Sequence, residues 1–230
     1  MTLGEPAISA LDQALADKDT AIEARRALPA VLQRLASPSA ERLLVDHVLD
    51  PDPILRLRVL TALNKVRQLH PGRRLERELI ETVLAAEIYG HYRSYQILGQ
   101  LMAQQNGSGD AGIAEAKDAI DRELERIFRL LKLLFPAQDF HSAYVGLHAG
   151  NATVHANALE FLQHSMPAGM RRLLLPLIDN EVGLRERLLL ADRLVGNPIS
   201  ISEPDSAART ASDALLRDAA QQAKQQLEGP

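Results

Sequence analysis

Apolar side chains recur along this chain at steps of three and four, in runs cut by short turns rich in Pro, Gly, Asp and Asn. Ile113, Ala116, Ile120, Leu124, Ile127, Leu131 and Leu134 keep that step unbroken, the seam of a helix lying along another. Apolar residues at 75, 79, 83, 88, 92, 95, 98 and 102 predict a second long amphipathic helix. Asn106-Gly107-Ser108-Gly109-Asp110 joins the two as a turn, so the economical arrangement is an antiparallel helical hairpin over 75–135.

Shorter helices flank it. Residues 1–19 read as an N-terminal helix or arm, with the helical pattern over 5–18. Thr20 is placed to cap the next helix, Pro29 to kink or restart it, and Ser37-Pro38-Ser39 to end it. A helix over 40–49 stops at Asp50-Pro51-Asp52-Pro53, where Asp52 is a good N-cap and Pro53 takes the first helical position of a helix to Leu69. Beyond Pro136 the pattern predicts a helix to Ala149 capped by Asp139, then helices over 152–165, 167–178 and 181–195. Residues 197–206 read as a linker and 207–230 as an Ala- and Gln-rich C-terminal helix with a weak apolar stripe.

Composition agrees with helices throughout. Of 230 residues, 39 are Leu and 33 are Ala, whereas Val, Ile and Thr number 10, 12 and 6 and aromatics are 3%. β-Sandwiches and barrels draw on the residues that are scarce here, so the expected class is all-α. The chain has no Cys, which closes thiolate, redox and cysteine-ligated zinc chemistry. Its apolar stretches, such as 173–178, fall far short of a membrane span, and the first residues lack the charged and apolar regions of a signal peptide. A net charge of −4 and a pI near 6.0 argue against a nucleic-acid partner.

One internal similarity stands out. The twelve residues from Asp52 to Leu63 align without a gap on those from Asn151 to Leu162, and an eroded third copy runs over 181–191. Each has an apolar residue followed by a basic one: Leu55-Arg56, Val154-His155 and Leu184-Arg185. The segment from Leu49 to Arg56, with the apolar helix after it, resembles the turn and second helix of a HEAT repeat. The order of a HEAT-like pair, a long hairpin and further HEAT-like pairs is similar to the soluble C-terminal domain of bacterial ADP/ATP translocase-like membrane carriers, nucleotide transporters of the major-facilitator-like group. The residues that carry the resemblance are Asp50 to Pro71, including Ala62-Leu63-Asn64-Lys65, and Leu124-Glu125-Arg126-Ile127-Phe128-Arg129-Leu130-Leu131 running on through Tyr144 to Leu162.

The resemblance covers roughly residues 20 to 195. It implies one HEAT-like solenoid domain over 20–196, interrupted by the hairpin, acting as a non-catalytic interaction or scaffold domain. Such a domain would be associated with or derived from a carrier, in the cytoplasm at the inner face of the membrane. The transport chemistry of that family belongs to its membrane helices, so the resemblance assigns no cofactor, small-molecule substrate or metal here. The alternative reading is a stand-alone HEAT-like nucleic-acid-binding protein, against which the acidic pI and the lack of Trp both count.

Candidate interaction residues follow. Arg56, His155 and Arg185 would form a column along the second helices, either as a basic track for an anionic partner or as internal bonds to the neighbouring turn, near Asp50 and Asp179. Arg58 belongs to the most basic stretch, in which Arg67, Arg73, Arg74 and Arg77 could meet an anionic membrane surface. Tyr89, Tyr92 and Tyr95 lie within seven residues and are expected to form a protein-contact surface, with at least one ring in the core. Glu87 and His91, at i and i+4, read as a stabilising surface pair. His141, His148, His155 and His164 are close in sequence but lack metal-ligand spacing, and no phosphate loop or nucleophile motif is present, so the chain is not read as an enzyme.

Overall fold

The computed structural model describes residues 5–103 and 110–196; the linker and C-terminal helix expected over 197–230 lie outside them. Among the described residues the chain forms ten α-helices and no strand, as the composition requires. No described helix is long and apolar enough to cross a membrane. Two compact units divide between Glu76 and Arg77, inside the span read from sequence as one domain.

The first unit holds α1 (Glu5–Ala16), α2 (Ile22–Leu35), α3 (Pro38–Asp46) and α4 (Pro53–Leu69). Its core is aliphatic: Leu15, Leu32, Leu44, Leu55, Leu60 and Leu63 are all fully buried. Far from being a free arm, α1 packs on α2 and α3, and the Arg25 side chain donates to the Leu15 carbonyl at 2.8 Å. Thr20 does not cap α2; its hydroxyl donates to Asp17 at 2.8 Å, closing the turn after α1, and Ala21 takes the cap position.

Nor does Pro29 interrupt α2. The ring is buried within a continuous helix, and the turn that loses a backbone bond is held from outside by Arg25 and Arg26, which pair with Asp50 and Asp52. Ser37 and Pro38 begin α3 rather than only ending α2: the Ser37 hydroxyl accepts the Ala40 N–H at 3.1 Å and Pro38 occupies the first turn. Asp52 and Pro53 repeat that arrangement at α4, with the Asp52 carboxylate accepting the Leu55 N–H at 2.7 Å.

The second unit holds α5 (Arg77–Ala103), α6 (Asp110–Leu134), α7 (Phe140–Leu147), α8 (Ala152–Ser165), α9 (Ala168–Ile178) and α10 (Leu184–Val195). Caps read from sequence recur here, since Asp139 accepts the Ser142 N–H and Asn151 those of Thr153 and Val154. The largest departure is α5. Six consecutive residues, Val83 to Ile88, are buried, so this helix is covered on every side for nearly two turns rather than along one stripe. It packs against α6 and α10. At Gly99 the α10 side is so close that an added Cβ would meet Leu188 Cδ2 at 2.7 Å.

Candidate functional site

The two full copies of the repeated segment begin at a helix cap, Asp52 before α4 and Asn151 before α8, and run into the helix. At α4, Asp52 caps the helix and Arg56, four positions on, donates to the carbonyls of Asp50 at 2.7 Å and Pro51 at 3.3 Å. The third copy is built the same way, but in another register. Its N-cap is Gly183, three residues before Glu186, and the residue four positions after that cap is Arg187. Arg187 donates to the carbonyls of Pro176 at 3.0 Å and Asp179 at 2.8 Å.

Aligned by sequence on Leu184-Arg185, this copy sits two residues out of step with the helix start. Arg185 is exposed near the start of α10, beside Leu189 and Arg193. Arg187 is therefore the counterpart of Arg56, and the spacing from cap to arginine, rather than the apolar-basic dipeptide, is the signal that finds it.

The turn before α4 also carries charge. Asp50 meets Arg25 at 3.0 Å and His47 at 3.7 Å, and Asp52 meets Arg26 at 2.7 Å. Burial pushes the Asp50 carboxyl up, but the His47 imidazole, the Asp52 amide and Arg25 outweigh it and hold the carboxyl below its ordinary value. Asp52 is held low chiefly by its hydrogen bond to Arg26, against burial and with help from the Leu55 N–H. Arg58 joins this set of internal contacts, donating to the Arg26 carbonyl at 2.9 Å.

Two of the four arginines expected at a membrane surface are likewise turned to internal partners. Arg73 pairs with Glu41 at 3.1 Å and donates to the Ala36 carbonyl, and Arg67 approaches the same Glu41 and donates to the Arg73 carbonyl. Arg77 belongs to the second unit, where it pairs with Glu81 and lies over the Phe135 ring; Arg74 is exposed.

The tyrosines do not form a docking surface. Tyr92 is 1% and Tyr95 6% exposed, and Tyr89 is half-buried. Each hydroxyl ties α5 to a neighbour: Tyr89 donates to the Val195 carbonyl at 3.2 Å and Tyr92 to the Leu173 carbonyl at 2.7 Å, while Tyr95 accepts from Arg187 at 2.9 Å. Burial raises the pKa of both Tyr92 and Tyr95, so their phenols stay protonated donors or acceptors. With α5 enclosed, a stripe of large rings is core, whatever its aromatic content.

Glu87 and His91 are buried too, and each is tied to α6 rather than set on a surface. Arg126 forks onto both Glu87 oxygens at 2.9 Å, and Glu123 accepts from Ser94 at 2.8 Å and lies 3.2 Å from His91 Nδ1. The pairs 87–126 and 91–123 climb one helix as they descend the other. Among the described residues no three His, Asp or Glu side chains are gathered as a metal site. His148 and His164 instead use Nδ1 on the carbonyls of Tyr144 and Glu160, one turn back.

His155 remains. It stands four positions after the Asn151 cap, as Arg56 and Arg187 stand after theirs, yet its side chain makes no hydrogen bond or ion pair with the described residues. A groove of about 640 Å³ opens beside it, between the first turns of α8 and the turn joining α9 to α10. Leu147, Ala152, Ala156 and Leu159 supply its apolar lining; Glu160, Asp179 and Glu181 supply carboxylates, and among the described residues no Lys or Arg lines it.

The fold and these turns define an all-α protein built from capped helix pairs with buried polar ties. Compared with known protein families, curated proteins and solved structures, the chain matches none.

Proposed function

We propose that the chain is a non-catalytic helical-repeat interaction domain, similar to the HEAT-repeat domain of translocase-like carriers, that binds a protein partner at the cytoplasmic side of a membrane. In this reading α3–α4, α7–α8 and α9–α10 are the repeats, and α5 with α6 is the long antiparallel hairpin set between them in chain order. One observation supports it most: Arg56 and Arg187 stand at the same distance from their caps, and each donates to a carbonyl of the turn before, Asp50 and Asp179, with Arg187 also reaching Pro176 in the last turn of α9. Repeats are held by such recurring local ties together with contacts to their neighbours. Polar groups that could have served chemistry, such as Glu87, Arg126 and His91, are spent on packing α6 against α5.

The experiment is crosslinking in native cells followed by purification of the tagged chain from membrane and soluble fractions, with a gel shift on duplex and single-stranded DNA at low salt alongside. A discrete protein crosslinked in the membrane fraction, with no DNA retardation, is the expected result. No crosslinked protein in either fraction overturns the reading, and salt-sensitive DNA retardation replaces it with the nucleic-acid alternative.

A further inference from the structure

We infer that the groove at His155 receives a cationic side chain, arginine or lysine, from an extended or helical segment of the protein partner. The inference rests on the interaction-domain reading and adds the chemistry of what is bound. At α4 and α10 the chain itself supplies a guanidinium four residues after the cap, and that guanidinium donates to carbonyls of the preceding turn or the helix end before it. At α8 the same position carries His155, whose shorter side chain reaches no such carbonyl. The groove lies where the substitution occurs.

Its electrostatics select the sign of the occupant. Three carboxylates line it, and neither Glu160 nor Glu181 has a side-chain partner among the described residues. The amides at the start of α8 are not a competing anion site, because Asn151 already accepts the N–H groups of Thr153 and Val154. An anionic lipid surface or nucleic acid would be repelled, whereas a cation gains charge-assisted bonds. The apolar lining favours a side chain with a hydrocarbon stem and an apolar neighbour over a small inorganic cation. Its volume falls in the range of sites that hold a side chain or small ligand, roughly 300–1,000 Å³.

The test is an amide-resolved NMR titration of the whole chain with N-acetyl-arginine methylamide. A short Leu-Arg peptide and its citrulline counterpart are then titrated in the same way. Saturable shifts at Gly150, Asn151, Asn180 and Glu181 are expected with the arginine probes, at least about tenfold weaker with citrulline. His155→Arg, which supplies the cation from within, should abolish the response. Glu160→Gln with Glu181→Gln alters two exposed side chains and should weaken it by about tenfold. An equal response to citrulline, or unchanged binding by His155→Arg with a native spectrum, overturns the inference. A crosslinked partner whose footprint lies elsewhere, with no response to either arginine probe, overturns it while leaving the interaction domain intact. Saturable arginine binding at this groove without any crosslinked partner upholds the groove as a cation site and overturns both the broader reading and a partner protein as the source of the cation.

Discussion

Arg126 and Glu87, 39 residues apart in sequence, form a forked ion pair with contacts of 2.9 Å and both side chains less than a tenth exposed. A pair this deep is costly to halve, because the remaining charge stays buried without its counter-ion. Glu87→Gln or Arg126→Met should each destabilise the second unit by about 3–5 kcal/mol, whereas Glu87→Met combined with Arg126→Met should recover most of the loss. All four Tyr of the chain lie at 89, 92, 95 and 144, so tyrosine fluorescence during urea unfolding reads this unit directly. Single variants within 1 kcal/mol of the parent would show that the fork carries little.

Arg187 and Arg185 should separate cleanly. Removing Arg187 with Ala takes the side-chain donor from the Pro176 carbonyl and the Tyr95 hydroxyl and leaves the Asp179 carbonyl only the Val182 N–H, a loss of about 2–3 kcal/mol in the same assay. Arg185→Ala, on an exposed helix start, should stay within about 0.5 kcal/mol. Equal effects would restore the register that the Leu184-Arg185 alignment suggested.

Asp52 joins a helix cap to an ion pair, and pH divides the two. Its carboxyl is held below the ordinary value of 3.8, so its electrostatic contribution is complete above that value and disappears as pH falls through the lower folded value. Asp52→Asn keeps a capping oxygen but not the charge. It should therefore be less stable than the parent at pH 7, with the gap closing at acid pH, while Asp52→Ala should lose about 1 kcal/mol of cap at every pH. Hydrogen exchange of the α4 amides follows both. A gap that widens on acidification would contradict the assignment.

Ala36 ends α2 with φ of 46°, a left-handed conformation that a Cβ disfavours. Ala36→Gly should stabilise the first unit by about 0.5–1 kcal/mol, read as slower exchange in α2 and α3. Its carbonyl still accepts from Arg73, so the turn has no reason to rearrange. Destabilisation would mean that the added freedom of the unfolded chain outweighs the relieved strain.

The helix starts at Asp52, Asp139 and Asn151 are legible from residues alone because a cap bond closes within three positions. The all-helical class is legible for a similar reason: Leu and Ala abundance acts residue by residue, and the three-four step needs only one helix to express itself. Ser37 shows the limit of that reading, since one Ser-Pro pair can end a helix or begin one, and only the Ala40 bond distinguishes them.

What surrounds α5 belongs to a different order of information. Its apolar positions announce a stripe, but Glu87, His91 and Gln96 look like a polar face until partners 39, 32 and 96 residues away enclose them. Tyr95 meets Arg187 across 92 residues, and that contact turns an apparent docking surface into a tie within the core. Local bonds of fixed span can be read along the chain. The choice between a surface and an interior side chain depends on which distant helix arrives to cover it, and three-dimensional packing alone makes that choice.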